Sequence, residues 1–377
     1  MNKCILIPDS FKGTMSASEV CNIMKESILA VYPECDIMSI PVADGGEGTV
    51  DCFLQAFNRG RKVFLKTKDP FLEQMESFYG IIDDMGIIEM AASAGFAAAN
   101  GKMDPENAST YGVGELLNDA IGKGCRKIIL GLGGSCTNDG GAGMAAALGT
   151  KFYDNTGKTF IPVGGNLANV VRIDISETKE RLRNITVEAM CDIDNPLYGE
   201  NGAAYIFGPQ KGADRDKVKV LDYHLHLFSE AIRKSLGIDV NGIDGAGAAG
   251  GMGAGAYAFL GAKLKRGIDV VLDIVRFEKI IQSCDCIFTG EGKLDSQSMG
   301  GKAVIGISRR AKPYRIPVVA VVGSFEGDME AVRNAGISFI FETGAERKTF
   351  EEAKIYCRDD LRKAMDEICR NRIAAML

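Results

Sequence analysis

Apolar and polar positions follow two different periods along this chain, and the change from one to the other outlines its elements. A short apolar run at 4–7 ends in Pro8-Asp9-Ser10, and another at 37–42 ends in Ala43-Asp44-Gly45-Gly46-Glu47-Gly48. Between them Val20, Ile23, Met24, Ser27 and Ile28 recur at helical spacing. Ser16 with Glu19 three residues later is the spacing of a capping box at that helix's start. The far end repeats the rhythm, with predicted strands at 285–289, 317–322 and 337–341 and helices at 302–311, 329–335 and 350–375. Five short apolar strands joined by helices predict an α/β fold with a doubly wound parallel sheet, its strands buried on both faces. Two of these strands come from the N-terminal end and three from the C-terminal end, so an inserted domain is the economical arrangement.

The middle has another texture. Residues 62–68, 75–82 and 86–90 read as strands with no helix between them. A helix at 111–121, strands at 127–130 and 185–190, and a long helix at 214–236 follow, then a glycine-rich passage at 245–255. This is a mixed α/β unit. A chain of 377 residues exceeds one comfortable core. The expected division is residues 1–65 with 270–377 as one discontinuous domain and 66–269 as the insertion.

Composition narrows the classes. Net charge is −6 and the sequence pI about 5.3, which argues against a nucleic-acid-binding surface. No apolar run reaches the length of a membrane span, and the first residues lack a signal peptide's apolar region, so no membrane partner and a cytoplasmic location are expected. The eleven cysteines are scattered without zinc spacing and suit reduced thiols; Cys284 and Cys286 form only a C-x-C inside a predicted buried strand. His224 and His226, the two histidines, lie two apart in a predicted helix and point away from each other.

Candidate chemistry gathers after the predicted strands. The stretch 131–143, GLGGSCTNDGGAG, follows an apolar run directly and suits close approach of backbone N–H groups to an anion. Ligands of open α/β sheets bind beyond the carboxyl ends of strands. There stand Asp9, Ser10 and Lys12; Asp44 and Glu47; Ser93; Gly134, Ser135, Thr137, Asn138 and Asp139; Asp192, Asp194 and Asn195; and Gly290, Glu291, Lys293, Asp295 and Ser324. Lys211, flanked by glycines in Phe207-Gly-Pro-Gln-Lys-Gly212, suits a phosphate oxygen. Phosphoryl transfer needs cations on the phosphates, carboxylates for Mg²⁺ and a carboxylate to accept the hydroxyl proton, and this inventory contains all three. No P-loop or protein-kinase motif is present. Gly245-Ala-Gly-Ala-Ala-Gly250 matches a dinucleotide fingerprint literally, but Asn241-Gly-Ile-Asp before it is no strand. A closely packed helix is the favoured reading there. An NAD-dependent hydroxy-acid dehydrogenase and a non-enzymatic ligand-sensing module are the competing classes.

On these residues the chain resembles the type I bacterial glycerate kinase family. The matching blocks run in order along nearly the whole sequence: 8–17, 41–49, 88–95, 131–143, 191–203, 207–213, 245–255 and 289–302. Cys136 stands where the family usually has alanine and Ser298 where threonine is common; Val31-Tyr-Pro33 lacks the basic residue often found before that helix ends. The resemblance implies a flavodoxin-like domain interrupted by a domain with a restriction-endonuclease-like core. It implies ATP-dependent phosphorylation of D-glycerate, most often giving 2-phospho-D-glycerate, with the 3-phospho isomer as the alternative; with the acidic and basic groups above, Mg²⁺ as cofactor, an interdomain active site and a monomer or homodimer are expected. Under it, Asp192 is the first candidate for general base and Asp9 the second. Lys12, Lys211 and Lys293 are candidates for neutralising phosphates or the substrate carboxylate, and Asp44, Glu291 and Asp295 for Mg²⁺ or for positioning the hydroxyl, with Glu291 and Asp295 preferred for the metal. The 131–143 loop has hydrogen-bonding groups but no lysine, which favours glycerate over ATP's phosphates as its ligand.

Overall fold

The computed structural model describes residues 1–295, 303–343 and 349–373. Ser298, the first residue of the helix expected at 302–311 and the last two of the one expected at 350–375 lie outside them. The chain forms two compact units: residues 1–43, 51–58 and 266–377, and residues 44–50 with 59–265. The segment 44–50 thus belongs with the second unit although chain on both sides of it belongs to the first.

The first unit is built on a five-stranded sheet in the order Phe339–Glu342, Val318–Val322, Cys286–Thr289, Lys3–Leu6, Asp36–Ser39, every pair parallel. Counted along the chain this order is 2-1-3-4-5, a doubly wound arrangement. The central strands are buried throughout because helices cover both faces. One of those helices, Ala17–Val31, begins at the expected box: Ser16 Oγ accepts from the Glu19 N–H and the Glu19 carboxylate accepts from the Ser16 N–H. Its apolar stripe, from Val20 to Ile28, packs with Leu361 and Met365 of the helix Phe350–Glu367 in one core.

The second unit holds a six-stranded mixed sheet. Its order is Lys263–Lys265, Thr186–Met190, Lys127–Gly131, Met85–Glu89, Gln74–Ile82, Arg61–Lys68. The first four strands are parallel and the last two complete an antiparallel meander, as the missing helices between 62 and 90 suggested. A small three-stranded sheet, Thr159–Phe160, Lys151–Tyr153, Arg172–Asp174, was not foreseen, because strands of two or three residues carry no readable period. The strand Lys263–Lys265 and the parallel pair Lys293–Asp295 and Ser324–Glu326 escaped notice for the same reason. All eleven cysteines are free thiols. Among the described residues no helix is long and apolar enough to cross a membrane.

Candidate active site

Three parallel strands of the second unit, Met85–Glu89, Lys127–Gly131 and Thr186–Met190, end at one edge of the sheet, and the chain beyond each end carries polar groups. A cavity of about 200 Å³ opens there. Gly133, Gly134 and Ser135 line it after the middle strand, and Cys191 and Asp192 after the last. Asp44 enters from the segment 44–50, Gln210 and Lys211 from the turn Pro209–Lys211, and Ala248 and Ala249 from the second glycine-rich passage. Leu132, Met190, Phe96 and Phe207 supply apolar wall.

Close backbone packing brings these pieces together. The Gly133 N–H donates to the Gly45 carbonyl at 2.9 Å, and a Cβ on Gly133 would stand 2.6 Å from the Gly46 Cα. Glycine is therefore required where 44–50 lies along the loop. Glu89, buried at the end of its strand, accepts from the N–H groups of Val50 (2.6 Å) and Gly48 (3.2 Å) and so fastens the same segment.

Lys211 is the main electrostatic feature of the cavity. It is 2% exposed, and its Nζ donates to Ser135 Oγ at 2.8 Å and to the Thr137 carbonyl at 2.7 Å. Both partners are neutral oxygens, and among the described residues Lys211 forms no ion pair. Burial pulls its pKa down from the ordinary lysine value to about 8, against a smaller opposing pull from Cys136 and Asp139. A buried ammonium at a cavity wall with no carboxylate bonded to it is a ready site for an anion.

The rest of the 131–143 loop lies behind the cavity rather than on it. Asp139 is fully buried and accepts from the Thr110 N–H (2.7 Å), Thr110 Oγ1 (2.8 Å), the Gly141 N–H (3.1 Å) and the Gly143 N–H (3.2 Å). Burial pushes its carboxyl above the usual range while these donors pull the other way. With its oxygens engaged inside the fold, this carboxylate holds the loop in shape. Ser93, Thr137 and Asn138 are also fully buried, and their side-chain polar atoms have no hydrogen-bond partner among the described residues. The Cys136 thiol donates to the Ala94 carbonyl at 3.3 Å, and burial raises its pKa to about 11, so it packs as a small apolar group.

The remaining predicted residues belong to the first unit and follow its own strand ends. Asp9 and Ser10 are half-buried, with the Ser10 N–H donating to Asp9 Oδ1 at 2.6 Å, and Lys12 is exposed. The Asp9 N–H donates to the Gly290 carbonyl at 2.8 Å, which joins two of these groups directly. Glu291 is buried and Asp295 half-buried. Lys293 is exposed and ion-paired with Glu326 at 2.8 Å, a contact that raises its pKa. The structure thus divides the candidates: Asp44, Gly134, Ser135, Asp192 and Lys211 share one cavity, while Asp9, Ser10, Lys12, Gly290, Glu291, Lys293 and Asp295 lie in the other unit.

Sequence reasoning overlooked Gln210, Phe207, Phe96 and Ala249 as cavity residues. Gln210 and Phe207 sit in the motif that revealed Lys211, and one turn of tight helix carries both Gln210 and Lys211 to the wall. Ala249 sits in the glycine-rich passage 245–255 that the sequence singled out, but nothing there marked it as cavity wall. It adopts φ +55°, followed by Gly250 at +70° and Gly251 at +89°, so the helix Ala248–Leu260 starts with a left-handed turn. No strand precedes Gly245; a chain of turns does, and the dinucleotide fingerprint has none of the geometry it requires.

The glycerate kinase family model matches residues 4–372 of the chain. A glycerate kinase of Bacillus cereus is 44% identical, with 93% of each chain covered. A glycerate 2-kinase of Escherichia coli K12 is 42% identical over 100% of this chain and 98% of its own. A crystal structure of a Salmonella typhimurium LT2 protein assigned as glycerate kinase 2 superimposes with a TM-score of 0.86 at 36% identity, covering 99% of both chains. A match along almost the whole length, including every strand end that carries a candidate residue, places this chain in the glycerate kinase family, and it is a kinase.

Proposed function

We propose that this protein transfers the γ-phosphoryl group of ATP to D-glycerate, at the 2-hydroxyl, giving 2-phospho-D-glycerate and ADP. The observation that carries the reading is the cavity in which buried Lys211, hydrogen-bonded to Ser135, is joined by the carboxylates of Asp44 and Asp192. Phosphoryl transfer asks a protein for positioning and charge stabilisation more than for covalent chemistry. Asp192 accepts the proton of the attacking hydroxyl, whose oxygen then bonds to the γ-phosphorus as the bond to ADP breaks; Asp9 is the second candidate for that proton. Asp44 positions the hydroxyl. Lys12 and Lys293 neutralise phosphate oxygens, with Ser10 and the Gly290 backbone as further donors to the nucleotide.

Magnesium is assigned to Glu291 and Asp295. Among the described residues no group of three or more His, Cys, Asp or Glu is placed to hold a metal. Mg²⁺ keeps its waters and takes only one or two carboxylates beside substrate phosphates, so this donor chemistry fits. When bound, the ion neutralises charge on the β- and γ-phosphates. The flavodoxin-like character of the first unit, the endonuclease-like core of the second and a cytoplasmic location, where eleven free thiols stay reduced, belong to the same proposal.

The name of the Escherichia coli relative favours the 2-phospho product. A coupled assay tests this directly. Product that feeds enolase without a mutase is 2-phosphoglycerate; signal that appears only once phosphoglycerate mutase is added is 3-phosphoglycerate and overturns the regiochemistry. Absence of ADP from ATP with D-glycerate overturns the activity.

A further inference from the structure

We infer that the cavity in the second unit is the acceptor's own pocket, and that Lys211 is the counter-ion of the acceptor's carboxylate, so that this one side chain makes the enzyme select hydroxy acids over uncharged polyols. The inference rests on the kinase reading above and adds to it which substrate the cavity holds and what decides its class.

Three observations converge. The first is size. A cavity of about 200 Å³ lies below the roughly 300–1,000 Å³ of clefts that enclose larger organic ligands, the class to which a nucleotide belongs, but it accommodates a three-carbon acid. The second is charge. The cavity wall carries one cation, Lys211, and two carboxylates, Asp44 and Asp192. A triphosphate would bring several negative charges against those carboxylates, which is unfavourable. A hydroxy acid with one carboxylate and two hydroxyls answers the set group for group: its charge meets the ammonium, and its hydroxyls donate to the aspartates. The third is burial. Lys211 is 2% exposed and bonded only to neutral oxygens, Ser135 Oγ and the Thr137 carbonyl. Asp139, which acts on Lys211 only through space, is occupied by four donors of its own. A buried charge without an ion-paired partner is costly, and an acceptor carboxylate completes the pair. The apolar wall of Phe96, Leu132 and Phe207 keeps the surroundings poor in water, which strengthens that pairing.

The test measures calorimetric binding of D-glycerate and of ATP to the full-length enzyme and to Lys211→Met, together with turnover of D-glycerate and of glycerol, the acceptor lacking the carboxylate. The Kd for D-glycerate is expected to rise roughly 10- to 150-fold, the range for a hydrogen bond to a charged group, while the Kd for ATP stays within about threefold. The preference for D-glycerate over glycerol should shrink by a similar factor; a merely structural lysine would reduce both acceptors equally, and that result overturns the inference. Loss of ATP binding with D-glycerate binding intact also overturns it, because the cavity would then be the nucleotide's. Ser135→Ala, which leaves the ammonium in place, covers failure of Lys211→Met to fold: it should weaken D-glycerate binding severalfold and leave ATP binding unchanged, and an unchanged D-glycerate Kd counts against the assignment. Should the unmodified enzyme bind no D-glycerate and form no ADP, the kinase reading fails rather than the role of Lys211.

Discussion

The two glycine-rich passages of the second unit are alike in composition and different in work. The stretch 131–143 leaves the carboxyl end of a buried parallel strand, so its first residues reach the cavity and its later ones turn back into the core. The stretch 245–255 follows no strand. It supplies Ala248 and Ala249 as plain wall and otherwise lies against its counterpart: a Cβ on Gly250 would stand 2.0 Å from the Thr137 carbonyl oxygen, and one on Gly255 would stand 2.4 Å from that of Gly140. What precedes a glycine run, strand or turn, decides whether it presents chemistry or only permits contact.

The sharpest way to break this contrast is at the chemical groups around the first passage. Asp192→Asn should lower kcat by about 100- to 10,000-fold with far less effect on KM, the range for loss of a positioned general base. Steady-state kinetics giving a wild-type kcat would remove Asp192 from the reaction. Asp139, a carboxylate in the same loop, should respond in the opposite sense. Asp139→Asn replaces an acceptor of four hydrogen bonds by a group half of which is a donor, and should cost about 2–4 kcal/mol of stability. Denaturant unfolding measures that loss, and protein that remains folded should retain much of its turnover.

In the second passage the expected loss is one of packing. Gly250→Ala places a methyl group against the Thr137 carbonyl at a backbone φ of +70°, so at least ~2 kcal/mol of stability should be lost. A stable Gly250→Ala variant that no longer bound substrate would show that this passage contributes chemistry and would dissolve the distinction.

The mildest test uses pH. Lys211 has a folded-state pKa near 8 against an ordinary 10.5. Acceptor binding should therefore weaken up to tenfold per pH unit above about 8, visible in kcat/KM for D-glycerate and absent in Lys211→Met. Stability runs the other way. Between about 8 and 10.5 the unfolded chain binds the proton and the folded one does not, so this lysine's contribution to stability rises with pH across that window. Unfolding free energies in Lys211→Met should lack that rise.

Much of the first unit was legible because helix and strand periods are written locally. The box at Ser16 and Glu19, the helix Met329–Ala335 and the short buried strands all follow from side chains within one or two turns of each other. The candidate site was legible at its strand ends, since polar groups directly after apolar runs stand out. Gln210, Phe207, Phe96 and Ala249 were not, because a wall residue needs no motif of its own; it needs only to be brought there.

Except for the strands of two or three residues, sequence alone was enough for the longer helices and the apolar strands, the two-plus-three origin of the parallel sheet and the residue types available for phosphoryl chemistry. Those depend on local spacing and on side-chain chemistry, which the order of residues states outright. Which of those residues meet is settled by the folding of the chain. Folding joined Asp44, Ser135, Asp192 and Lys211, which come from four separate stretches of the sequence, around one cavity, and it turned Asp139 inward among four donors. It also buried Lys211 beside neutral oxygens, and that burial, which no spacing rule encodes, is what lowers its pKa.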